Sequence, residues 1–327
     1  MRALQMTGPA ADSGSTGIAE VDEPEPGPGE VAIDVAYAGL NFIDVMARRG
    51  DPGYATGWPY VPGLEVSGLV RAVGAGVSGY QAGDRVAAFT AGGGLAEVAI
   101  APAALTVEIP PAVSLELAAA APLMLATAVL LLESTVRLRP GESVLMHSAG
   151  GGVGSAVPLV AAPLSGGVRV GTVGSPAKAP GALAAGWDHV VPNDASAAEA
   201  IRGLAPGGID VILDPAGTRN LDLDLAVAAP GARVVLFGNP GGDAPAALPP
   251  LGRLIGGNVG ILGFSISSLS RTRPTAVADA LRRSLGLLAD GGVRLEMTVV
   301  PGLAAVPDVH DLLAARGGSG KYVAQIA

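Results

Sequence analysis

In its second half the chain sets six short apolar runs at regular intervals, and no other feature restricts its fold as strongly. The runs 143–147, 168–173, 189–191, 210–214, 233–237 and 259–264 each read as a strand, with helical or loop segments between them. Near-continuous Val, Ile and Leu in a strand means burial on both faces. That is the condition of a parallel sheet covered by helices on both sides. The spacing therefore predicts a doubly wound α/β unit. Residues before Ser114 read differently. Runs at 31–35, 66–73, 85–89 and 95–100 alternate with turns at Gly74, Gly76, Gly79 and Gly83, which predicts a mostly β unit. An exposed turn over 20–30 and a short helix over 40–49 belong to it, and a helix over 275–288 and a strand over 298–300 follow the α/β series. The expected organisation is residues 1–121 as one domain, 122–265 as the α/β domain, and 266–327 returning to the first.

The first of the six runs opens directly into His147-Ser148-Ala149-Gly150-Gly151-Gly152-Val153-Gly154. Ala149, Gly151 and Gly154 reproduce the spacing G-x-G-x-x-G with Ala in the first place. Between a strand and a helix, such a loop lets backbone N–H groups of Ser148, Ala149, Gly151, Gly152 and Val153 approach a pyrophosphate, aided by the positive end of the helix dipole. The competing reading is a Gly-rich turn with no ligand, and the strand before it and the alternating units after it favour the nucleotide. The second run ends in Gly174-Ser175-Pro176-Ala177-Lys178. It lacks the acid that holds ribose hydroxyls in NAD enzymes. Gly174 leaves room, Ser175 offers a hydroxyl and Lys178 a charge, a set suited to a 2′-phosphate. Lys178 as a solvated surface lysine is the alternative.

Composition removes other classes. Among 327 residues there is no Cys, so disulfides, thiol catalysis and Cys-ligated zinc are excluded. Cysteine-free chemistry is compatible with a cytoplasmic location. The three histidines, His147, His189 and His310, stand far apart in the sequence, and no metal centre is expected. His147 is expected to pack or hydrogen-bond at its strand end. Net charge is −9 and no basic run exceeds Arg48-Arg49 or Arg282-Arg283, so a nucleic-acid partner is not expected. The N-terminus lacks the apolar stretch of a signal peptide. The apolar run 117–132 is short of a membrane span and contains Pro122 and Thr127, so it is read as a buried helix, with no membrane partner. Gly (49) and Pro (27) approach the content of disordered chains, against which the regular apolar runs argue.

Several motifs, taken together and in order, resemble the zinc-independent quinone oxidoreductase branch of the medium-chain dehydrogenase/reductase superfamily. They are Asn41-Phe42-Ile43-Asp44, Pro62-Gly63-Leu64-Glu65-Val66-Ser67-Gly68, Gly83-Asp84-Arg85-Val86, Thr127-Ala128, the glycine loop, Gly174 to Lys178, Asp210 to Gly217, Phe237-Gly238-Asn239 and Ser319-Gly320-Lys321. The resemblance spans nearly the whole chain. It implies a Rossmann-type sheet joined to a GroES-like, mostly β catalytic domain, NADPH as cofactor, and commonly a homodimer. By position it assigns Asn41 and Thr127 to the nicotinamide side of the cleft between the domains. It gives Gly151, Gly152 and Val153 to the pyrophosphate and Gly174 with Lys178 to the adenosine phosphate. Phe237, Gly238 and Asn239 close over the nicotinamide. Zinc-dependent relatives carry His-Glu where this chain has Leu64-Glu65.

The chain also departs from the pattern. Met46 and Val45 stand where relatives carry a Tyr, and Asn193 replaces a Tyr that often marks the phosphate pocket. Pro158 and Pro163 fall where the nucleotide helix should run, and Pro180-Gly181 is expected to break the next helix. Tyr54 and Tyr60 are candidate proton donors, with packing on the cleft wall as the alternative. Asn41 could instead cap the helix after it, and Thr127 could merely fill a buried face. The resemblance implies hydride transfer from NADPH to a quinone. A conjugated enone or enoyl thioester is the alternative acceptor, and an NADPH-binding sensor or scaffold the non-enzymatic one. The run 259–264 ends the series, so it is expected at a sheet edge that pairs with a second copy.

Overall fold

The computed structural model describes residues 1–242, 244, 246–291 and 295–327. The chain divides into two compact units, Ala128–Ser265 on one side and Met1–Thr127 with Ile266–Ala327 on the other.

In the unit Ala128–Ser265 every one of the six apolar runs overlaps a strand, and all six strands are parallel. Across the sheet they lie in the order His189–Pro192, Arg169–Val173, Val144–Met146, Ile209–Asp214, Ala228–Leu236 and Gly260–Gly263. In chain order this is 3-2-1-4-5-6, the Rossmann arrangement, whose direction of winding reverses beside the first strand. Leu145, Val170, Ile209, Ile212 and Val234 of the sheet pack with Ile201 and Leu221 of the helices Ala197–Leu204 and Leu221–Val227 in one apolar core.

Two expectations about proline are corrected. The helix Gly152–Ala161 runs straight through Pro158. Proline cannot donate to the carbonyl four residues back, which leaves the oxygen of Gly154 without its helical partner. The indole Nε1 of Trp187 takes that place, 2.9 Å from the Gly154 oxygen. The helix then ends ahead of Pro163. Pro180 does not break its helix either. It lies in the first turn of Ala179–Ala184, where a missing N–H costs nothing.

The other unit is built on the strand Glu30–Leu40, longer than the run 31–35 suggests because Ala36 to Leu40 continue it. It pairs antiparallel with Glu65–Val73, Val98–Pro102 and Lys321–Gln325. The sheet extends through Arg85–Phe89 to Thr106–Glu108, and through Lys321–Gln325 to Met297–Pro301. Strand crossing is tight at Gly68, where an added Cβ would lie 2.0 Å from the carbonyl oxygen of Asp34. Ile33, Val35, Val66, Val86 and Leu95 fill the core. An N-terminal hairpin, Arg2–Met6 with Thr16–Glu20, was not legible in the sequence. The predicted helix over 40–49 is Phe42–Arg49.

The apolar run 117–132 lies in a helical segment Leu115–Thr135. At 21 residues it is long and apolar enough to cross a membrane, yet 83% of its most apolar window is buried in the protein. It reads as a core helix. Bonds of the wider i→i+5 type loosen it, Leu125 N to Ala120 O and Val136 N to Leu131 O among them.

Candidate functional site

The glycine loop begins where the strand Val144–Met146 ends. Ser148 sits at φ 60° and reverses the chain. Ala149 N donates to Thr172 O at 2.9 Å, tying the loop to the neighbouring strand, and Gly151 N donates to Ser148 O at 2.9 Å. Small residues are required by contact. A Cβ on Gly154 would lie 2.4 Å from Ser148 O, and one on Gly171 would lie 2.5 Å from Ala149 Cβ. The helix Gly152–Ala161 then starts with no acidic residue in its first turn. The first N–H groups of a helix have no intrahelical acceptor, and those of Gly152 and Val153 are of this kind. With the dipole behind them they suit an anion.

Lys178 stands beside this loop. A Cβ on Gly150 would meet Lys178 Cβ at 3.2 Å. Burial lowers the Lys178 pKa from its ordinary value, and among the described residues no carboxylate pairs with it. Ser175 is half-buried next to it, and Gly174 is exposed with open space where a side chain would stand. A half-buried cation without a counter-ion among the described residues, an open Gly position and no acid at the strand end fit a dinucleotide bearing a 2′-phosphate.

The remaining candidates of this unit follow other strands at the same, C-terminal edge of the sheet. Asn193 is exposed after His189–Pro192, with its amide nitrogen on Asn220 Oδ1 at 3.2 Å. Phe237 N donates to Asp214 O at 3.0 Å. Gly238 passes so close to Pro215 that a Cβ would lie 2.5 Å from its carbonyl oxygen, and Asn239 lines Gly217. The loops after Ile209–Asp214 and Ala228–Leu236 are thus stacked on each other. Ligands of open α/β sheets bind outside this edge. His147 is buried and hydrogen-bonds as its position suggested, Nδ1 to Thr172 Oγ1 at 2.8 Å and Nε2 to Asp224 Oδ1 at 2.7 Å.

In the other unit Asn41 belongs to a buried ionic cluster. Lys321 and Glu65 are both fully buried and form an ion pair. Lys321 Nζ also donates to Leu40 O at 3.0 Å and to Asn41 Oδ1 at 2.8 Å. Asn41 Nδ2 donates in turn to Glu65 Oε1 at 2.8 Å, and Leu123 N donates to Glu65 Oε2 at 2.7 Å. Gly39 makes room, since a Cβ there would collide with the Glu65 carboxyl. The Asn41 amide is therefore locked with Oδ1 toward lysine and Nδ2 toward glutamate. Asp44 Oδ2 accepts the Asn41 backbone N–H at 2.9 Å and closes the helix start. Burial pushes the Asp44 carboxyl up to about 7.

Thr127 is buried at 4% exposure. Tyr60 packs with Met6 and Ala47, edge-on to Trp58 at 6.4 Å between ring centroids, and Tyr54 packs against the same cluster. Burial pushes Tyr60 up to about 12 and raises Tyr54 as well. Both phenols are protonated at neutral pH, and both rings pack in this cluster. Sequence reasoning missed Lys321, Glu65 and Asp44 as one cluster. The available signal was a lysine directly before the apolar Tyr322-Val323-Ala324 of the strand Lys321–Gln325, because a buried lysine needs a carboxylate.

Residues 27–111 match the family described as alcohol dehydrogenase GroES-like domain, and residues 152–283 match zinc-binding dehydrogenase. The chain is 35% identical over 318 residues to a quinone oxidoreductase of Pseudomonas aeruginosa, covering 91% of this chain and 92% of that one. It is 33% identical over 216 residues to the human synaptic vesicle membrane protein VAT-1 homolog-like, covering 66% of this chain. That match spans about half of the relative, 51%. Among solved structures, the human VAT-1 homolog-like protein superposes with TM-score 0.88 at 30% identity, covering 100% of this chain and 98% of that one. An Escherichia coli quinone oxidoreductase complexed with NADPH superposes with TM-score 0.89 at 26% identity, covering 99% and 100%.

Proposed function

Because the chain belongs to the quinone oxidoreductase branch of the medium-chain dehydrogenase/reductase superfamily, we propose that it is an NADPH-dependent reductase of quinones that works without a catalytic zinc. The observation that carries this is Lys178, half-buried against the glycine loop and without a carboxylate partner among the described residues. When bound, NADPH supplies a hydride, and hydride plus one proton converts a quinone to its hydroquinone.

The residues of this chain bind and orient. Gly152 and Val153 offer backbone N–H groups to the pyrophosphate, and Gly151, whose own N–H goes to Ser148 O, lets the backbone approach it, with Ser148 and Ala149 shaping the turn. Ser175 and Lys178 hold the 2′-phosphate beside Gly174, and Asn193 borders that pocket. Phe237, Gly238 and Asn239 cover the nicotinamide end, and Asn41 and Thr127 contact the ring or the acceptor oxygen. Negative charge developing on that oxygen calls for hydrogen-bond donors, and no Lewis acid is required. With Met46 and Val45 where relatives carry a Tyr, the proton comes from solvent, and Tyr54 and Tyr60 are the alternative donors. A cytoplasmic homodimer acting on a small molecule completes the proposal. NADPH oxidation measured against a panel of quinones and enones tests it. Turnover with quinones is expected; turnover with enones alone would reassign the acceptor, and tight NADPH binding without turnover would leave only a binding protein.

A further inference from the structure

The fold brings together three buried side chains that the proposed reaction does not use. His147 directly follows the strand Val144–Met146, Asp214 ends Ile209–Asp214, and Asp224 lies in the helix Leu221–Val227. All three are buried, at 1%, 0% and 0% exposure. One donor atom from each lies within 4.8 Å of the others. The wide separation of the histidines along the sequence argued against a metal, but the partners His147 acquires in the fold are carboxylates.

The hydrogen bonding of this cluster is incomplete. Asp214 Oδ1 accepts from Ala216 N at 2.7 Å and from Asn220 Nδ2 at 3.1 Å. Asp224 Oδ1 faces His147 Nε2 at 2.7 Å. The second oxygens, Asp214 Oδ2 and Asp224 Oδ2, are buried and have no hydrogen-bond partner. Buried carboxylate oxygens left unpaired are costly, and two aspartates that bring a donor atom within 4.8 Å of each other call for a positive group. No Lys or Arg reaches either aspartate among the described ion pairs of this unit, whose cations go to Asp188, Glu142 and Asp222.

We propose that His147, Asp214 and Asp224 form a site for one divalent cation. Two carboxylates and a neutral imidazole balance a charge of +2. One nitrogen and two oxygens are a donor set for Zn²⁺ or Mn²⁺. Ligand atoms of a tetrahedral zinc stand roughly 3.3 Å apart, so the widest pair, within 4.8 Å, closes by about 1.5 Å at most. Carboxylate rotation supplies this, because each Asp has one unbonded oxygen. Thr172 serves the imidazole in either state. Its hydroxyl donates to Nδ1 when Nε2 carries the proton and accepts from Nδ1–H when Nε2 ligates, the usual support of a ligating histidine. Buried as it is, the cation is structural. It pins the ends of two neighbouring strands, one of which opens into the glycine loop, to the helix behind them.

The test is metal content, independent of any turnover. Full-length protein is refolded with Zn²⁺ or Mn²⁺, dialysed, and measured by mass spectrometry. About one equivalent per chain is expected, falling below one tenth in Asp224→Asn. Refolding with Co²⁺ gives a reading on the unaltered chain, since a bound ion shows visible d–d absorption. Less than one tenth of an equivalent with all three metals would overturn the site and leave a shared proton between the aspartates. Undiminished metal in both Asp224→Asn and Asp214→Asn would place the ion elsewhere and overturn it equally. Should Asp224→Asn fail to fold, the Co²⁺ reading on the unaltered chain decides.

Discussion

The indole N–H of Trp187 donates to the carbonyl of Gly154 at 2.9 Å, the carbonyl that Pro158 leaves without its helical partner. A proline that should weaken the nucleotide helix is thereby accommodated by a side chain from the loop before His189–Pro192. Trp187→Phe should destabilise the chain by about 1–3 kcal/mol, the range for a buried acceptor left unsatisfied. In the Pro158→Ala background the backbone N–H of residue 158 returns to that carbonyl, so the same change should cost clearly less. Urea denaturation of the four proteins in a double-mutant cycle checks this, and strictly additive effects would refute the coupling.

The parallel sheet was legible because its inner strands, Val144–Met146 and Ile209–Asp214, are near-continuous apolar runs buried on both faces, and the glycine loop because its spacing is set by contacts such as Gly154 against Ser148. What stayed hidden has a common cause. The partners of Pro158, His147 and Lys321 lie 29, 77 and 256 residues away in the sequence, as Trp187, Asp224 and Glu65 respectively. No local pattern announces a side chain that repairs a distant defect or neutralises a distant charge. The hairpin Arg2–Met6 with Thr16–Glu20 was missed for another reason: its second strand is mostly exposed, so it lacks an apolar signature.

Lys178→Ala should weaken NADPH binding by about 1.5–3 kcal/mol, the value of a hydrogen bond to a charged group. NADH, lacking the 2′-phosphate, should bind almost unchanged. Calorimetric titration with both cofactors decides. Equal losses for the two would show that Lys178 does not read the phosphate.

Asp44 and His310 lie 3.9 Å apart and are both buried. Burial raises Asp44 from 3.8 to about 7 and lowers His310 from 6.5 to about 4, the latter aided by the Arg48 charge. The raised carboxyl contributes stability that is fully present below pH 3.8 and lost as pH rises through 7. The depressed imidazole contributes stability that is present above pH 6.5 and lost as pH falls through 4. Between those limits the two slopes oppose each other and largely cancel. His310→Gln should therefore reveal stability falling from pH 4 to 7, and Asp44→Asn stability rising from pH 4 to 6.5. Denaturation midpoints across that range test both signs, and parallel profiles in the two variants would exclude the opposed shifts.

The strand Gly260–Gly263 does lie at the edge of its sheet, and the nearby side chains Leu251 and Ile255 are 70% and 66% exposed. An unpaired edge beside apolar side chains favours a second copy of the same strand. A two-fold dimer continuing the sheet is expected at micromolar concentration, and Ile255→Asp should shift it toward monomer. Light scattering with a monomeric unaltered chain would refute this.

Asn41 offers the most informative substitution, because three readings of it give different outcomes. A residue that only caps its helix costs about 1 kcal/mol of stability when cut to Ala, with turnover intact. One that only positions the nicotinamide or the acceptor loses tenfold or more in turnover, about 1.4 kcal/mol in the barrier, with stability intact. Here Asn41 bonds both members of a buried ion pair, Lys321 at 2.8 Å and Glu65 at 2.8 Å. Removing the amide leaves each with a vacated hydrogen-bonding position, so Asn41→Ala should lower stability by about 1–3 kcal/mol and turnover together. Lys321→Met, which strands Glu65 as an unpaired buried carboxylate, should cost more, about 3–5 kcal/mol. Replacing the pair together, Lys321→Met with Glu65→Leu, should recover part of that loss because no buried charge remains. Thermal unfolding of the three variants beside their kcat values separates the readings. An Asn41→Ala protein as stable as the parent would show that the amide does not support the ion pair.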